Sequence, residues 1–272
     1  MTAGYADYVI GNEQLANDLY LNPYRQWTPE ELIAMSIDKP HAYPPGTNWN
    51  YAHTDYVILG QVLEESTGKP MDLLMQEYIF APMGLTDTDG PSTPEIRQPV
   101  LHAFSSERRQ ALGIDPSIPF YEESTYWNPS WTITHGAIET TNIYDMATTA
   151  VAVGTGSLLS PESHQAQVGP NLVGFGAALP GCSTCRRLET NFNYGLGVWI
   201  KGSWTLQNPL FSGYAGIEGY LPSKKIAIAV ANTYEEQSFD DQGNYKYGNA
   251  SEKIFDAIGA YLAPDDAPPG TP

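Results

Sequence analysis

The chain has 272 residues, 42% hydrophobic and 12% aromatic, with 31 acidic against 13 basic side chains and a formal net charge of -18. That length and composition suit a folded protein with a sizeable core, as one large domain or two modest ones, and exclude a disordered chain. The charge argues against nucleic acid or anionic membrane as a partner, since both repel it, and no apolar run approaches the ~20 residues that span a bilayer.

Met1-Thr2-Ala3-Gly4-Tyr5 has neither a positive n-region nor an apolar h-region, so it does not read as a signal peptide. A short helix is expected over Asn12–Leu19. Thr28-Pro29-Glu30-Glu31 is a helix start, with Thr28 as N-cap, Pro29 at the first position and Glu31 completing a capping box. Leu32, Ile33 and Met35 continue that helix until Lys39-Pro40.

The stretch from Pro44 to Gly60 reads as a rigid turn, a polar corner and the start of a buried helix. Pro44 and Pro45 fix the backbone and Gly46 lets it reverse. Thr54 is a suitable N-cap, and Tyr56, Leu59 and Leu63 recur at helical spacing. Val57, Ile58 and Val62 fill most of the remaining circumference, which predicts a central helix from Asp55 to Ser66 with Gly68 as its C-cap. A second helix follows over Met71–Tyr78, closed by Pro82. Residues 90–135 are loop-rich, with six prolines from Pro91 to Pro129 and the aromatics Tyr121, Tyr126, Trp127 and Trp131. Thr141 or Asn142 caps a helix over Tyr144–Val153.

The last third is β-rich. Strands are expected over Asn193–Lys201, Pro209–Leu221 and Lys225–Thr233, the last two joined by a turn at Pro222-Ser223-Lys224-Lys225. Ala250–Leu262 is an amphipathic helix, and the Pro/Asp-rich tail 264–272 is expected to be disordered. The only cysteines, Cys182 and Cys185, form a C-x-x-C that can be a redox pair, half a zinc site or a local disulfide. Their Gly/Pro-rich loop and the lack of further ligands favour a structural disulfide, which suits an extracytoplasmic protein. His41, His102, His135 and His164 are scattered without a ligand pair, and Asp240–Asn244 lacks a calcium-loop register, so neither a metal nor another cofactor is expected.

PPGTNWNYAHTDYVILGQVLEESTGKPMDLLMQEYIFAPMGLTDT, from Pro44 to Thr88, resembles the middle segment of the serine β-lactamase-like family, which includes class C β-lactamases, DD-peptidases and related esterases. Gly136-Ala137-Ile138-Glu139-Thr140-Thr141 and Gly154-Thr155-Gly156-Ser157-Leu158-Leu159-Ser160-Pro161 are similar to two further family phrases, and Thr2-Ala3-Gly4 to a turn that follows the nucleophile. The resemblance implies an α+β fold, an antiparallel sheet flanked by helices with a mostly helical subdomain, lacking its N-terminal part. One domain over 1–263 is implied, largely helix and loop in 54–190 and sheet plus terminal helix in 191–263.

Family chemistry uses three parts: a Ser-x-x-Lys nucleophile, a Tyr-x-Asn corner, and a Lys/His-Thr/Ser-Gly strand that binds substrate and oxyanion. Tyr51-Ala52-His53 takes the place of the corner, implying catalytic roles for Tyr51 and His53. Counting back from Gly213-Tyr214 and Tyr220-Leu221-Pro222 puts Gln207-Asn208-Pro209 at the strand motif, with no cation; a rival frame uses Phe211-Ser212-Gly213. Gln207, Asn208, Ser212 and Gly213 are thus the substrate-binding candidates. The sole Ser-x-x-Lys string, Ser36-Ile37-Asp38-Lys39, closes a short helix where the family has no nucleophile and reads as a surface helix end. The resemblance therefore implies a secreted or cell-envelope serine hydrolase that cleaves an ester, amide or lactam through an acyl-enzyme. The uncharged Gln207 tilts this toward an esterase, with the nucleophile outside this chain. A non-catalytic ligand-binding module of the same fold is the alternative. The partner is a small-molecule, peptide or ester substrate, and the oligomeric state stays open.

Overall fold

A computed structural model describes residues 1–91, 93–169 and 172–270. The N-terminal part is helical: α1 (Glu13–Leu21), α2 (Pro29–Ala34), α3 (His53–Thr67), α4 (Met71–Met75) and α5 (Ala81–Met83), the last two joined by a π turn over Gln76–Phe80. Strands β1 (Phe104–Ser105) and β2 (Glu122–Glu123) pair within the long loop region. Helices α6 (Ile143–Thr155) and α7 (Pro161–Val168) precede the strands β3 (Asn193–Tyr194), β4 (Trp199–Lys201), β5 (Trp204–Gln207), β6 (Leu210–Phe211), β7 (Tyr214–Leu221) and β8 (Ile226–Thr233). Helix α8 (Ala250–Leu262) follows, and the whole is an α+β fold.

Local chemistry sets the helix ends. Thr28 and Glu31 exchange both bonds of a capping box. Asn142 accepts from the amides of Tyr144 and Asp145 at the start of α6. Gly68 and Gly156 close α3 and α6 in the left-handed conformation that a Cβ disfavours.

The six-stranded sheet is antiparallel, in the order β3-β4-β5-β7-β6, with β8 on the other side of β7. Both β5 and β6 pair with β7, so they are one strand interrupted at Asn208-Pro209, where proline has no amide to donate. Ser212 (φ 54°) and Gly213 (φ 78°) form the two-residue turn into β7. One face of the sheet packs on α8 through Trp204, Leu206, Ile217, Leu221, Ile228 and Phe255, with the Trp204 and Phe255 rings 5.1 Å apart. Each of these fully buried aromatics removes enough apolar surface to stabilise the fold by about 2–3 kcal/mol. Helix α6 covers the opposite face, and Gly154 lets it close on the Tyr220 ring. A second core, of Tyr8, Leu15, Trp27, Leu32 and Val57, lies beneath α1 to α3.

Several expectations need correction. The apolar α3 is not enclosed: Thr54, Val57 and Gly60 are buried, while Leu59, Val62 and Leu63 are exposed. Small residues set that face, because Gly60 brings the helix onto Thr134 too closely for any Cβ. Thr54 is not the cap either; its hydroxyl donates to the Ala6 carbonyl at 2.7 Å, and Ala52 precedes the helix without a side-chain bond. Ser36 is no surface residue: it is 1% exposed, and its hydroxyl lies 3.2 Å from that of Thr54. Asn193–Lys201 splits into β3 and β4 around Gly195–Gly197, and β5 and α7 lie outside every predicted element. The tail makes contacts as far as Pro269, which lies against Gly202, and Pro268 is buried. Pro264–Asp266 form a 3-10 turn, the Asp266 carbonyl accepts from the Trp204 indole at 2.8 Å, and Pro268 rests on Gly259. Prolines seated on glycine supply the contacts that composition does not reveal. Thr271 and Pro272 lie outside the described residues.

Candidate functional site

The corner before α3 is fixed from both sides. Gly46 (φ 78°) turns the chain, and its amide donates to Thr2 at 2.8 Å. Asn48 then clamps the loop that carries the cysteines: its amide nitrogen donates to the Ala177 carbonyl at 3.0 Å, and its oxygen accepts from the Ala177 amide at 2.7 Å. Asn50 forms a β-bridge with Cys185, and Cys182 and Cys185 are joined as a disulfide. The residue that follows this clamp is Tyr51.

Tyr51 lies in an aromatic cluster. Its ring stacks on Trp199 (5.9 Å between centroids, 6° between planes) and meets Tyr194 (6.1 Å) and His53 (5.3 Å) edge-on. Its hydroxyl has no hydrogen-bond partner among the described residues. Burial, and then the nearby Tyr56 and Asp7, push its pKa up to about 12. Among the described residues no cation offsets that shift, and with its pKa at about 12 the phenol is protonated at physiological pH.

His53, two residues on, is held by a carboxylate. Its Nδ1 lies 3.0 Å from Asp7 Oδ2 and 3.2 Å from Oδ1, and its backbone amide also donates to Asp7 Oδ1 at 3.3 Å. With the Asp7 side chain 4% exposed and the His53 side chain 17% exposed, the pair is shielded but not sealed. With the carboxylate as acceptor, a neutral ring carries its proton on Nδ1 and presents Nε2 as the acceptor nitrogen. A carboxylate that orients an imidazole is the arrangement general-base catalysis requires. Asp7 was not among the sequence candidates. It stands 46 residues from His53 in Tyr5-Ala6-Asp7-Tyr8, and no local pattern distinguishes it from any surface aspartate.

The structure separates the remaining candidates. Gln207 belongs with the cluster: its amide donates to the Gly197 carbonyl and faces the Tyr194 hydroxyl, which lies 3.4 Å from that of Tyr56. Burial, followed by Tyr56, raises the pKa of Tyr194. Asn208 points the other way and donates to Glu252 on α8. Ser212 and Gly213 are held at the hairpin tip, where the Ser124 hydroxyl donates to the Ser212 carbonyl at 2.7 Å and the Gly213 amide donates to the Tyr245 hydroxyl at 2.8 Å. Ser36 is closed in by Thr54 and Ile33. A broad hollow of about 810 Å³ lies elsewhere, lined by Asp72, Asp89, Glu95, Arg97 and Tyr126, but Arg97 is already paired with Asp89 there. Among the described residues, no group of three or more His, Cys, Asp or Glu could hold a metal ion, and no helix is long and apolar enough to cross a membrane.

Residues 1–250 match the family model described as Beta-lactamase. Putative D-alanyl-D-alanine carboxypeptidases of Escherichia coli O157:H7 and of Salmonella newport are 29% identical over 129 residues and 35% identical over 107. The matches cover 45% and 37% of this chain, but only 27% and 24% of those proteins, so it spans about a quarter of their length. Among solved structures, a D-stereospecific amidohydrolase from Streptomyces sp. superposes with a TM-score of 0.71 at 20% identity, covering 97% of this chain and 70% of that one. A D-amino acid amidase from Ochrobactrum anthropi complexed with D-phenylalanine gives 0.64 at 20%, covering 85% and 62%. A penicillin-binding protein from Bacillus halodurans gives 0.64 at 19%, covering 87% and 67%. At these identities the structural likeness establishes the fold.

Proposed function

The chain belongs to the beta-lactamase family, and from that premise we propose that it supplies the substrate-binding and proton-handling part of a serine hydrolase that cleaves amide bonds beside D-configured residues. The observation that carries this reading is His53, oriented by Asp7 and set edge-on to Tyr51. In the acyl transfer, His53 Nε2 takes the proton of the attacking serine. Tyr51, a neutral phenol, hydrogen-bonds the leaving nitrogen, which takes the proton that His53 carries and so returns the imidazole to its neutral form. The serine comes from polypeptide other than these 272 residues, since Ser36 is buried against Thr54.

Gln207 narrows the substrate. A carboxylate-terminated substrate calls for a cation at this place, whereas an amide or ester end is neutral and suits a glutamine. The fold neighbours named as D-amino acid amidase and D-stereospecific amidohydrolase favour the amide over the ester. The disulfide favours an extracytoplasmic setting.

The test is intact-mass analysis after treatment with a fluorophosphonate and with a penicillin, together with calorimetric titration of D-phenylalanine amide. No adduct, with saturable binding of the amide, is the expected result. An adduct mapped to Ser36 would sink the assignment of the nucleophile, and tighter binding of a D-alanyl-D-alanine end than of the amide would sink the assignment of the substrate. The second reading, a binding module without turnover, is favoured by a Tyr51 hydroxyl that has neither a hydrogen-bond partner nor a cation beside it among the described residues. It prevails if a longer polypeptide that includes a Ser-x-x-Lys helix also fails to acylate.

A further inference from the structure

The strand that carries Gln207 contains a proline and stays paired across it. Thr205 to Gln207 face Tyr220 to Glu218 on β7, and Leu210 and Phe211 face Ala215 and Tyr214 in the same register, so Pro209 lies opposite Gly216. A hydrogen-bonded pair in an antiparallel ladder exchanges two backbone bonds. Only one forms here. The Gly216 amide donates to the Pro209 carbonyl at 3.0 Å, and Pro209 has no N–H to return to the Gly216 carbonyl. Gly216 is buried, and a carbonyl left there without a donor is costly.

Asn249 supplies that donor. Its side-chain amide nitrogen donates to the carbonyls of Gly216 at 3.2 Å, Pro209 at 3.1 Å and Asn208 at 3.1 Å. An asparagine before a helix ordinarily accepts a bond from an amide of the first turn. Asn249 is the N-cap of α8, yet its side chain makes no cap bond and turns to the sheet instead. The rest of that first turn grips the same place. Asn208 donates to Glu252, and the Ser251 hydroxyl donates to the Ala215 carbonyl at 3.0 Å. The residue next to this clasp is Gln207, whose side chain strand alternation sends the other way, to the Gly197 carbonyl and Tyr194.

We propose that Asn249 is a positioning residue: its amide replaces the N–H that Pro209 lacks, keeps the strand paired with β7 through its break, and so holds the Gln207 amide that meets the neutral end of the substrate. The part played by Gln207 rests on the amide substrate proposed above, whereas the bonds from Asn249 to the strand do not.

The test is a double-mutant cycle of Asn249→Ala and Pro209→Ala, read by urea denaturation, by the side-chain amide resonances of Gln207 and by calorimetric titration of D-phenylalanine amide. In the wild-type background Asn249→Ala is expected to lower the folding equilibrium constant about tenfold, to shift the Gln207 resonances and to weaken binding of the amide at least about threefold. Pro209→Ala restores the missing N–H. In that background Asn249→Ala is expected to leave the resonances in place and to change both constants by less than about twofold. Asn249→Asp keeps a good helix cap but loses the donor, so it is expected to be no more stable than Asn249→Ala. If Asn249→Ala does not fold, recovery of folding in the double variant supports the same role, and an unfolded double variant overturns it. Equal losses in both backgrounds overturn the proposal, as do Gln207 resonances indifferent to Asn249→Ala or an Asn249→Asp chain as stable as the wild type. A wild-type chain that does not bind D-phenylalanine amide removes the substrate reading alone, and the stability cycle and the Gln207 resonances still decide the role of Asn249.

Discussion

Asp7 Oδ2 stands 3.0 Å from His53 Nδ1, joining the N-terminal loop to the first residue of α3. If the carboxylate sets the tautomer, Asp7→Asn, which can offer an amide N–H to the ring, moves the ring proton from Nδ1 to Nε2. The shape is kept, so the stability loss is expected to be about 1–2 kcal/mol, against about 3 kcal/mol for Asp7→Ala, which leaves the ring nitrogen unpartnered. Nitrogen-15 chemical shifts of the His53 ring report the exchange directly. Identical shifts in the wild type and Asp7→Asn would mean that Asp7 does not orient the base.

Tyr51 tests the difference between packing and proton chemistry. Its hydroxyl has no protein partner among the described residues, so Tyr51→Phe is expected to change stability at pH 7 by no more than about 0.5 kcal/mol. Tyr51→Ala removes the ring stacked on Trp199 and is expected to cost about 3 kcal/mol, read from urea denaturation. The ordinary value of 10.0 is raised to about 12 by burial, so the unfolded chain releases this proton first. Stability from this group is therefore complete below about pH 10 and lost as pH rises toward 12, and Tyr51→Phe is expected to remove that part of the alkaline decline.

The parts of this fold legible in the sequence are those specified locally. The capping box of Thr28 and Glu31, the Asn142 cap and the Gly68 and Gly156 stops need only neighbouring residues. The Pro44–Thr88 stretch carried the family on its wording alone, and with it the frame that makes Tyr51 and His53 candidates. What was not legible depends on approach between distant segments. Asp7 meets His53, and Ser36 meets Thr54, only after the N-terminal loop packs on α3. The exposed flank of α3 was unreadable for the same reason: the residues that choose its buried face are Gly60 and Thr134, and neither is apolar in the sense a helical pattern detects. Gln207 and Asn208 were adjacent candidates, but strand alternation sends their side chains to opposite faces, and only Gln207 joins the cluster.

Gly60 is where that close approach can be measured. A Cβ built there would fall 2.4 Å from the Thr134 side chain, far inside contact distance. Alanine ordinarily favours a helix over glycine by about 1 kcal/mol. Here Gly60→Ala is expected to destabilise by about 1–3 kcal/mol instead, because α3 or the Thr134 loop must move. Pairing it with Thr134→Gly opens the space and is expected to return most of the loss. A chemical-denaturation cycle of the four proteins gives the coupling, and additive effects would show that α3 does not rest on Thr134.

Glu218 on β7 and Glu139 ahead of α6 are carboxylates with no basic partner among the described residues. Burial raises Glu139 from 4.5 to about 7, and burial together with the charge of Glu139 raises Glu218 to about 8. Glu139 remains open to water, so the stability effect is assigned mainly to Glu218, which is half-buried on the sheet. The folded chain holds protons that the unfolded chain has released, so this contribution is complete below about pH 4.5 and is lost as pH rises through about 8. Urea midpoints are accordingly expected to fall between pH 5 and pH 9, with a slope of at most ~1.4 kcal/mol per pH unit from one group. Glu218→Gln cannot ionise, so it is expected to flatten that decline and to be more stable than the wild type at pH 9, though not at pH 5. Parallel pH profiles for the two proteins would mean that Glu218 ionises without cost and that water reaches the sheet face beside Gln207, its cross-strand partner.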